Sequence, residues 1–401
     1  MTKTRVAVVG TGITGLGASW LLAQDPNIEL VIYERNDYIG GHTNTIEVKS
    51  CKDSNGNTVT RPIPVDTGFI VYNDMNYPNL IQLFGLLGVK TEPSDMSFAL
   101  SVDNGNLEWA GDSLYTLFAQ KKNLFDAHFW RMVFDILRFN SSATELLSFS
   151  EEHKADLNLT VGEYLEKYNY SDSFLVNYFL PMTAAIWSCP QSTMLAFPIV
   201  SMVQFLHNHC LLQLGGRPVW RTVVGGSREY VKKILETFPK DRVTIKVSTG
   251  INSVTRQTVN NTTTVELLDT TGQKESYDHV VFASHADQTI EMLGTSATRE
   301  EKSILGNFKY QANRAFLHQD VDLMPKNRSV WSSWNYLSYT KKAKPGSGRD
   351  LDADVALTYW MNRLQPTTLQ KDPLLLVTLN PIKDPKPETV LKEQIYHHPI
   401  F

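Results

Sequence analysis

Cysteine is scarce in this chain, with only Cys51, Cys189 and Cys210 among 401 residues. Their number is odd, they lie far apart, and none has the short spacing of a metal-ligand pair. That argues against a disulfide framework and against zinc, and for a reducing compartment with free thiols. Long apolar runs are lacking as well. None reaches the ~18 residues that a bilayer span needs. The nearest, "TMLAFPIVSMVQFL" from Thr193 to Leu206, is broken by Pro198, Ser201 and Gln204, and suits a buried or lipid-touching segment better than a span. Charge of one sign never forms a block. The 38 Lys and Arg against 42 Asp and Glu leave a net −4, which argues against nucleic acid as the main partner. No apolar leader core follows Lys3 and Arg5. A cytoplasmic protein is the plain reading, and the sequons at Asn158 and Asn261 carry little weight. Internal repeats and low-complexity tracts are also missing. The length exceeds one ordinary core, so two domains are expected, interleaved rather than consecutive.

What is present begins with "VAVVGTGITGLGASWLLAQ", Val6 to Gln24, in which Gly10, Gly12 and Gly15 stand between an apolar run and a helix-like segment. A strand that ends in a tight glycine turn aims helix-N-terminal N–H groups at one point, where they can hold a phosphate. Arg5–Val9 reads as a buried strand, Leu16–Ala23 as the helix, and Ile28–Glu34 as a second strand, which together make a βαβ unit. Glu34 closes that second strand, placed to accept hydrogen bonds from an adenosine ribose and to disfavour a 2′-phosphate. A second glycine pair follows in "ERNDYIGGHTNT". A plain NAD unit does not require it, whereas an FAD molecule lying across the fold benefits from close backbone approach at Gly40 and Gly41.

Farther on, the pattern turns helical from Leu114 to about His209, which suggests a helical cap domain near 100–215. Strand-like alternation returns in "RVTIKVSTGINSVTRQ" and "TTTVELLDTTGQKESYDHVVFAS", with a turn signal at Thr271–Gly272. The region from Tyr310 to Leu379 mixes strands rich in aromatic residues, including Trp331, Trp334 and Trp360, with the polar stretch "KKAKPGSGRD", read as a mobile loop.

The glycine turn, Glu34 and the second glycine pair together resemble the flavin-containing amine oxidase and phytoene desaturase-like FAD superfamily. "PVDTGFIVYN", "PMTAAIWS", "GRPVWRTVVGGSREYV", "VVFASHADQTIEML", "YQANRAFLHQD", "WSSWNY", "TYWMNRLQ" and "YHHPIF" are similar to its predicted NAD/FAD-binding branch, along nearly the whole chain. The resemblance implies an α/β fold: a Rossmann-like FAD-binding domain of the GR2 type interleaved with an α+β substrate or cap domain. The expected division is 1–98 and 216–300 for the FAD-binding domain, 99–215 for a mainly helical cap, and 301–401 for a substrate-domain sheet.

It also implies site residues. Gly10, Gly12, Thr14 and Gly15 would cradle the pyrophosphate of FAD, with Glu34 and Arg35 at the adenosine ribose. Gly40, Gly41, His42 and Thr43 would follow the phosphate and ribityl chain, and Thr67, Gly68, Phe69 and Ile70 would lie near the isoalloxazine. Ile251 would meet adenine through its backbone, and Ala283 and Ser284 would line the dinucleotide. Gly225, Gly226 and Ser227 match a glycine pair that precedes a helix in the superfamily. Two departures stand out. Where amine oxidases commonly hold a lysine near the flavin, this chain reads Asn313 and Arg314, with Lys309 upstream. A glycine-rich C-terminal segment that follows "HP(V/I)F" in relatives is not in the sequence, which ends at Phe401. The departure implies a truncated chain, weak FAD binding, or a different strategy in place of that segment.

Catalytic candidates are Tyr72 and Asn73, which could touch substrate or serve as packing and turn residues, and Trp187 and Trp334, which could wall a pocket or sit in the core. His42 could contact the flavin edge or simply occupy a loop, while His285 reads chiefly as a turn residue. The bulky helical face from Phe129 to Phe139 could pack on its own domain or meet a membrane peripherally. The expected function is an FAD-dependent oxidoreductase that takes hydride from an apolar, lipid-like or amine small molecule. The alternative is a catalytically inactive flavin-binding homologue with a regulatory role. No metal is expected.

Overall fold

The computed structural model describes residues 3–148, 155–187, 191–213, 218–259, 262–339 and 354–400. The polar stretch 341–350, Cys189 and Asn261 lie outside the described residues. The chain opens with strand β1 (Thr4–Val9), helix α1 (Ile13–Leu22) and strand β2 (Ile28–Tyr33). Both strands run parallel in a four-stranded sheet ordered Val243–Lys246, β2, β1, His279–Phe282. Four consecutive buried residues in β1 and again in β2 follow from coverage on both faces, as parallel sheets require. Val6 and Val8 face a core with Leu16 of α1 and Tyr230 and Ile234 of the helix Arg228–Glu236. Ala7 and Val9 face the opposite core with Val254, Leu267 and Tyr277 of an antiparallel meander. The Gly272 turn lies inside that meander, between Thr262–Asp269 and Lys274–Tyr277. This half has a Rossmann-like fold.

The second half is a seven-stranded mixed sheet. Its order is Leu107–Ala110, Phe98–Val102, Trp334–Tyr339, Asp354–Trp360, Leu376–Leu379, Lys309–His318, Val390–Ile400. Only the pairing of Phe98–Val102 with Trp334–Tyr339 is parallel. The helical region therefore opens with two strands at 98–110 that belong to this sheet. Its helices, among them Ala127–Ser142 and Ile199–Asn208, cover the sheet through Phe129, Met132, Phe139, Met202 and Leu206. The chain enters the parallel sheet, leaves it for the large sheet, returns with Val243–Lys246 and His279–Phe282 and leaves again. The strand Ile63–Asp66 ends at buried Asp66, which accepts from Ser227 N at 2.9 Å, Ser227 Oγ at 2.8 Å and Gln365 Nε2 at 3.0 Å. No helix among the described residues is long and apolar enough to cross a membrane.

Candidate functional site

Two backbone turns meet above the carboxyl ends of β1 and β2. Gly10 leaves β1 with its N–H bound to Tyr33 O at 2.8 Å. Gly15 lies so close beneath that turn that a Cβ on it would sit 2.0 Å from Gly10 O. It packs the helix onto the turn instead of lining the site. Gly41, at φ +59, approaches from the other side, where a Cβ would stand 2.9 Å from Gly12 Cα. α1 starts after Gly12 with no side-chain cap and no acid in its first turn, so its first N–H groups and its positive dipole end are left for a ligand.

Glu34 ties the two turns together. It is buried, and its Oε2 accepts from Thr11 N at 3.1 Å and from Thr11 Oγ1, while Oε1 accepts from Asn36 N at 2.8 Å. Gly40 N in turn donates to Thr11 Oγ1 at 3.3 Å. Thr11, absent from the expected site residues, thus joins both glycine turns to the acid at the strand end. The carboxylate expected to meet a ribose already has chain partners on both oxygens, with one acceptor position of its four left over.

These elements open on a cavity of about 890 Å³, within the ~300–1,000 Å³ of ligand sites. Its walls include Gly10, Gly12, Thr14, Glu34, Arg35, Gly40, Gly41, His42, Thr43, Phe69, Ile251, Ala283, Ser284 and His285. Thr11, Tyr230, Asn252, Thr270, Tyr396 and His397 line it too, and no motif in the sequence singled them out for this wall. His285 stacks on Tyr310 with ring centroids 4.4 Å apart and leaves a buried Nδ1 without a partner. The open helix start, the glycine approaches and this unpartnered nitrogen fit an elongated polar ligand with a phosphate group at its middle.

Several expected residues stand elsewhere. Ile70 is buried in the large core. Tyr72 is buried against Phe84 and Tyr77, because its strand packs under the dinucleotide half. Asn73 is fully buried, its Oδ1 accepting from Met75 N and Asn76 N in a tight turn. Trp334 packs edge-on against Tyr359. Lys309 is exposed, with Nζ on Gly306 O, and Arg314 pairs with Asp384 and Glu393 at the surface.

Thr67, Gly68 and Trp187 line a second cavity of about 330 Å³, with Ile186, Tyr359, Leu379, Tyr396, His398 and Pro399. Tyr396 belongs to both walls, so the two cavities meet there. Its hydroxyl bonds Thr67 Oγ1 at 2.7 Å and accepts from Asn44 Nδ2 at 3.1 Å, and burial pushes its pKa up to about 12. His42 lies 5.3 Å from the rings of both Tyr396 and His398. Burial, reinforced by His398, His285 and His397, lowers the His42 pKa to about 4. Burial likewise lowers those of His285 and His398. The junction is therefore lined by neutral imidazoles at ordinary pH. No carboxylate, lysine or arginine lines the smaller cavity among the described residues.

Comparison with known proteins agrees with this geometry. The chain is similar in fold to an oxidoreductase from Methanosarcina mazei, at TM-score 0.62 and 12% identity over 98% of this chain and 88% of that one. It is similar to a CLA-producing fatty acid isomerase from P. acnes, at TM-score 0.58 and 14% identity over 99% and 86%. It is also similar to putrescine oxidase bound to putrescine, at TM-score 0.59 and 15% identity over 94% and 75%. No curated protein matches the sequence. The family model described as flavin containing amine oxidoreductase matches residues 13–302, well over half of the chain, and the protein is therefore a member of that family of flavin-dependent oxidoreductases.

Proposed function

We propose that the chain binds FAD in the larger cavity and removes hydride from a C–H bond of an uncharged, largely apolar small molecule in the smaller one. The observation that carries this reading is the wall of the smaller cavity: aromatic and aliphatic side chains, neutral His398, and among the described residues no carboxylate to pair with an ammonium ion. An amine remains a substrate only as the free base. Buried polar contacts are costly without partners, so a lipid-like molecule suits this wall better than a diamine.

Gly10, Gly12 and Thr14 would hold the pyrophosphate on the open N-terminus of α1, with Glu34 and Arg35 near the adenosine ribose and Ile251 beside adenine. Ala283 and Ser284 would flank the dinucleotide, while Gly40, Gly41, His42 and Thr43 would follow its ribityl chain toward Phe69. Bound flavin supplies a hydride acceptor. The chain's share is orientation and exclusion of water: Trp187 and Tyr359 hold the substrate's apolar body, and Tyr396 stands where the two cavities meet and keeps its proton. Loss of hydride from an uncharged molecule leaves a cation whose acidic proton passes to a weak base such as neutral His42 at the junction, so no side chain needs to act as a strong base.

Substrate of this kind partitions into membranes, and one face of the helical region suits a membrane surface. Leu114, Tyr115, Leu124, Phe125, Trp130, Phe134 and Leu137 are exposed. Residues 113–138 carry four Lys and Arg against two acids, in a chain that is negative overall. We read this as a peripheral contact with an anionic bilayer. The buried free thiols Cys51 and Cys210 suit a cytoplasmic site of action.

The test is the visible spectrum of the purified protein, followed by anaerobic titration. About one FAD per chain, bleached by uncharged donors and not by putrescine at neutral pH, is the expected outcome. A colourless protein that takes up no FAD overturns the reading, and one that binds FAD but is bleached best by diamines overturns its substrate class.

A further inference from the structure

Behind the smaller cavity a run of hydrogen bonds decides which nitrogen of His398 carries the proton. It begins at a backbone donor. Arg314 N–H donates to Asn380 Oδ1 at 3.0 Å, which turns the Asn380 amide nitrogen the other way, toward Asn313 Oδ1 at 2.7 Å. Asn313, fully buried, is thereby oriented with its Nδ2 on His398 Nδ1 at 2.9 Å. Its other amide hydrogen reaches Gln311 O at 3.3 Å. A carboxamide nitrogen only donates, so His398 Nδ1 accepts, and a neutral imidazole whose Nδ1 accepts carries its hydrogen on Nε2. A backbone N–H cannot exchange roles as a side-chain amide can, so the whole relay has one orientation. Burial, with His285 and His397 nearby, keeps the ring on the neutral side.

The remaining polar groups of that wall are less committed or already used. Thr67 Oγ1 donates to Asn44 O at 3.0 Å, and the Tyr396 hydroxyl is shared between Thr67 and Asn44. The Tyr359 hydroxyl can rotate to donate or accept. Trp187 also brings an obligate donor, its indole N–H; what sets His398 apart is that its tautomer is fixed by a relay anchored in the backbone of the Lys309–His318 strand.

We propose that His398 is a specificity residue whose locked Nε2–H receives an uncharged acceptor oxygen of the substrate. The chamber therefore selects apolar molecules bearing a carbonyl, ether or hydroxyl oxygen over hydrocarbons of the same shape and over ammonium ions. This rests on reading the smaller cavity as the substrate chamber. An N–H presented to an ammonium group meets another donor, and one presented to a hydrocarbon is left unpaired on desolvation.

The experiment uses the full chain with ¹⁵N-labelled histidine. His398 is assigned by the loss of its signals in His398→Gln, and its tautomer is read from the two ring-nitrogen shifts. The three probes share one shape: acetophenone, α-methylstyrene and 1-phenylethylamine. The wild type should show the Nε2–H tautomer and bind acetophenone about tenfold more tightly than α-methylstyrene, with the amine weakest. Asn313→Asp puts an acceptor on Nδ1 and should move the hydrogen there, abolishing the preference for acetophenone while FAD loading is kept. His398→Gln, which retains an N–H donor, should keep part of the preference, and His398→Phe none. An Nδ1–H tautomer in the wild type overturns the proposal, as does equal affinity for acetophenone and α-methylstyrene, including binding of neither. A failure of the flavin reading would show separately, as absent colour in the same sample.

Discussion

The two cavities are built from different materials. The larger is centred on backbone, a glycine turn, a bare helix start and a second glycine pair within residues 9–43, and is completed by residues 69–80, 230, 249–252, 270, 283–292 and 394–397. The smaller is made by side chains drawn from residues 67–68, 186–187, 359, 379 and 396–399. A phosphate held by N–H groups is held wherever the backbone goes, so that part of the larger site is local in sequence and fixed by where Cβ atoms are missing. A ligand held by side chains needs a sheet to bring distant residues together, so its site can vary without disturbing the first.

The largest expected effect breaks the backbone-made half. Gly15→Ala would put a Cβ 2.0 Å from Gly10 O, forcing the turn away from α1, and should give a folded protein that retains no FAD through gel filtration. Gly17→Ala is the control: it lies in the same helix with nothing within 4 Å of its Cβ, and should retain FAD and gain up to about 1 kcal/mol of stability. If both variants load FAD equally, the glycine approach does not hold the ligand and the contrast between the cavities falls.

The next expected effect lies in the large sheet. His318 is fully buried, with Nε2 on Thr378 Oγ1 at 2.7 Å and Nδ1 accepting from Asp320 N at 3.0 Å, and burial lowers its pKa to about 4. The unfolded histidine, at an ordinary pKa near 6.5, takes up a proton first as pH falls. The stability that neutral His318 contributes is therefore present above about pH 6.5 and lost as pH falls toward 4, by about 2–3 kcal/mol. Urea midpoints measured from pH 7.5 to 4.5 should drop, and His318→Gln should flatten that slope. An unchanged slope would remove His318 as its source.

The same contrast governs what the sequence discloses. The parallel-sheet half, its glycine turns and the flavin family were legible because strand, turn and helix follow one another within some thirty residues, each with a local physical reason. Gly15 was legible as part of the motif but not in its role, because helix packing and phosphate contact demand the same missing Cβ. Tyr72 and Asn73 follow a site loop in sequence, yet a two-residue strand turns them into a different core. His398 and Asn313 could not be read as partners, since 85 residues separate them and only the pairing of Asn313 with Tyr396 in adjacent strands sets them side by side. Thr11 did carry a signal, a hydroxyl between the glycines with an acid at the next strand's end, which the ribose reading of Glu34 passed over.

The smallest effect concerns how the side-chain half meets its substrate. The helix Ala127–Ser142 buries Phe129, Met132 and Phe139 on one side and exposes Trp130, Phe134 and Leu137 on the other, so it is apolar on two faces where a surface helix needs one. Phe118 packs on Trp130 at 5.1 Å and joins this face to the turn bearing Leu114 and Tyr115, while Phe125 beside it is 91% exposed. Exposed Lys121 and Lys122 adjoin it, whereas Asp135 is buried between Arg131 and Arg138. A second copy docked on this face by a two-fold axis would bring like charges together, but an anionic bilayer accepts both the rings and the lysines. Phosphatidylcholine vesicles should sediment the protein, and more of it when they contain phosphatidylserine, and Phe125→Ser with Trp130→Ser should weaken binding to both about tenfold. Lys121→Gln with Lys122→Gln should weaken it only on the anionic vesicles. A dimer that the Phe125→Ser change dissolves would assign the face to a second copy of the chain, and no binding to either vesicle would overturn the bilayer contact.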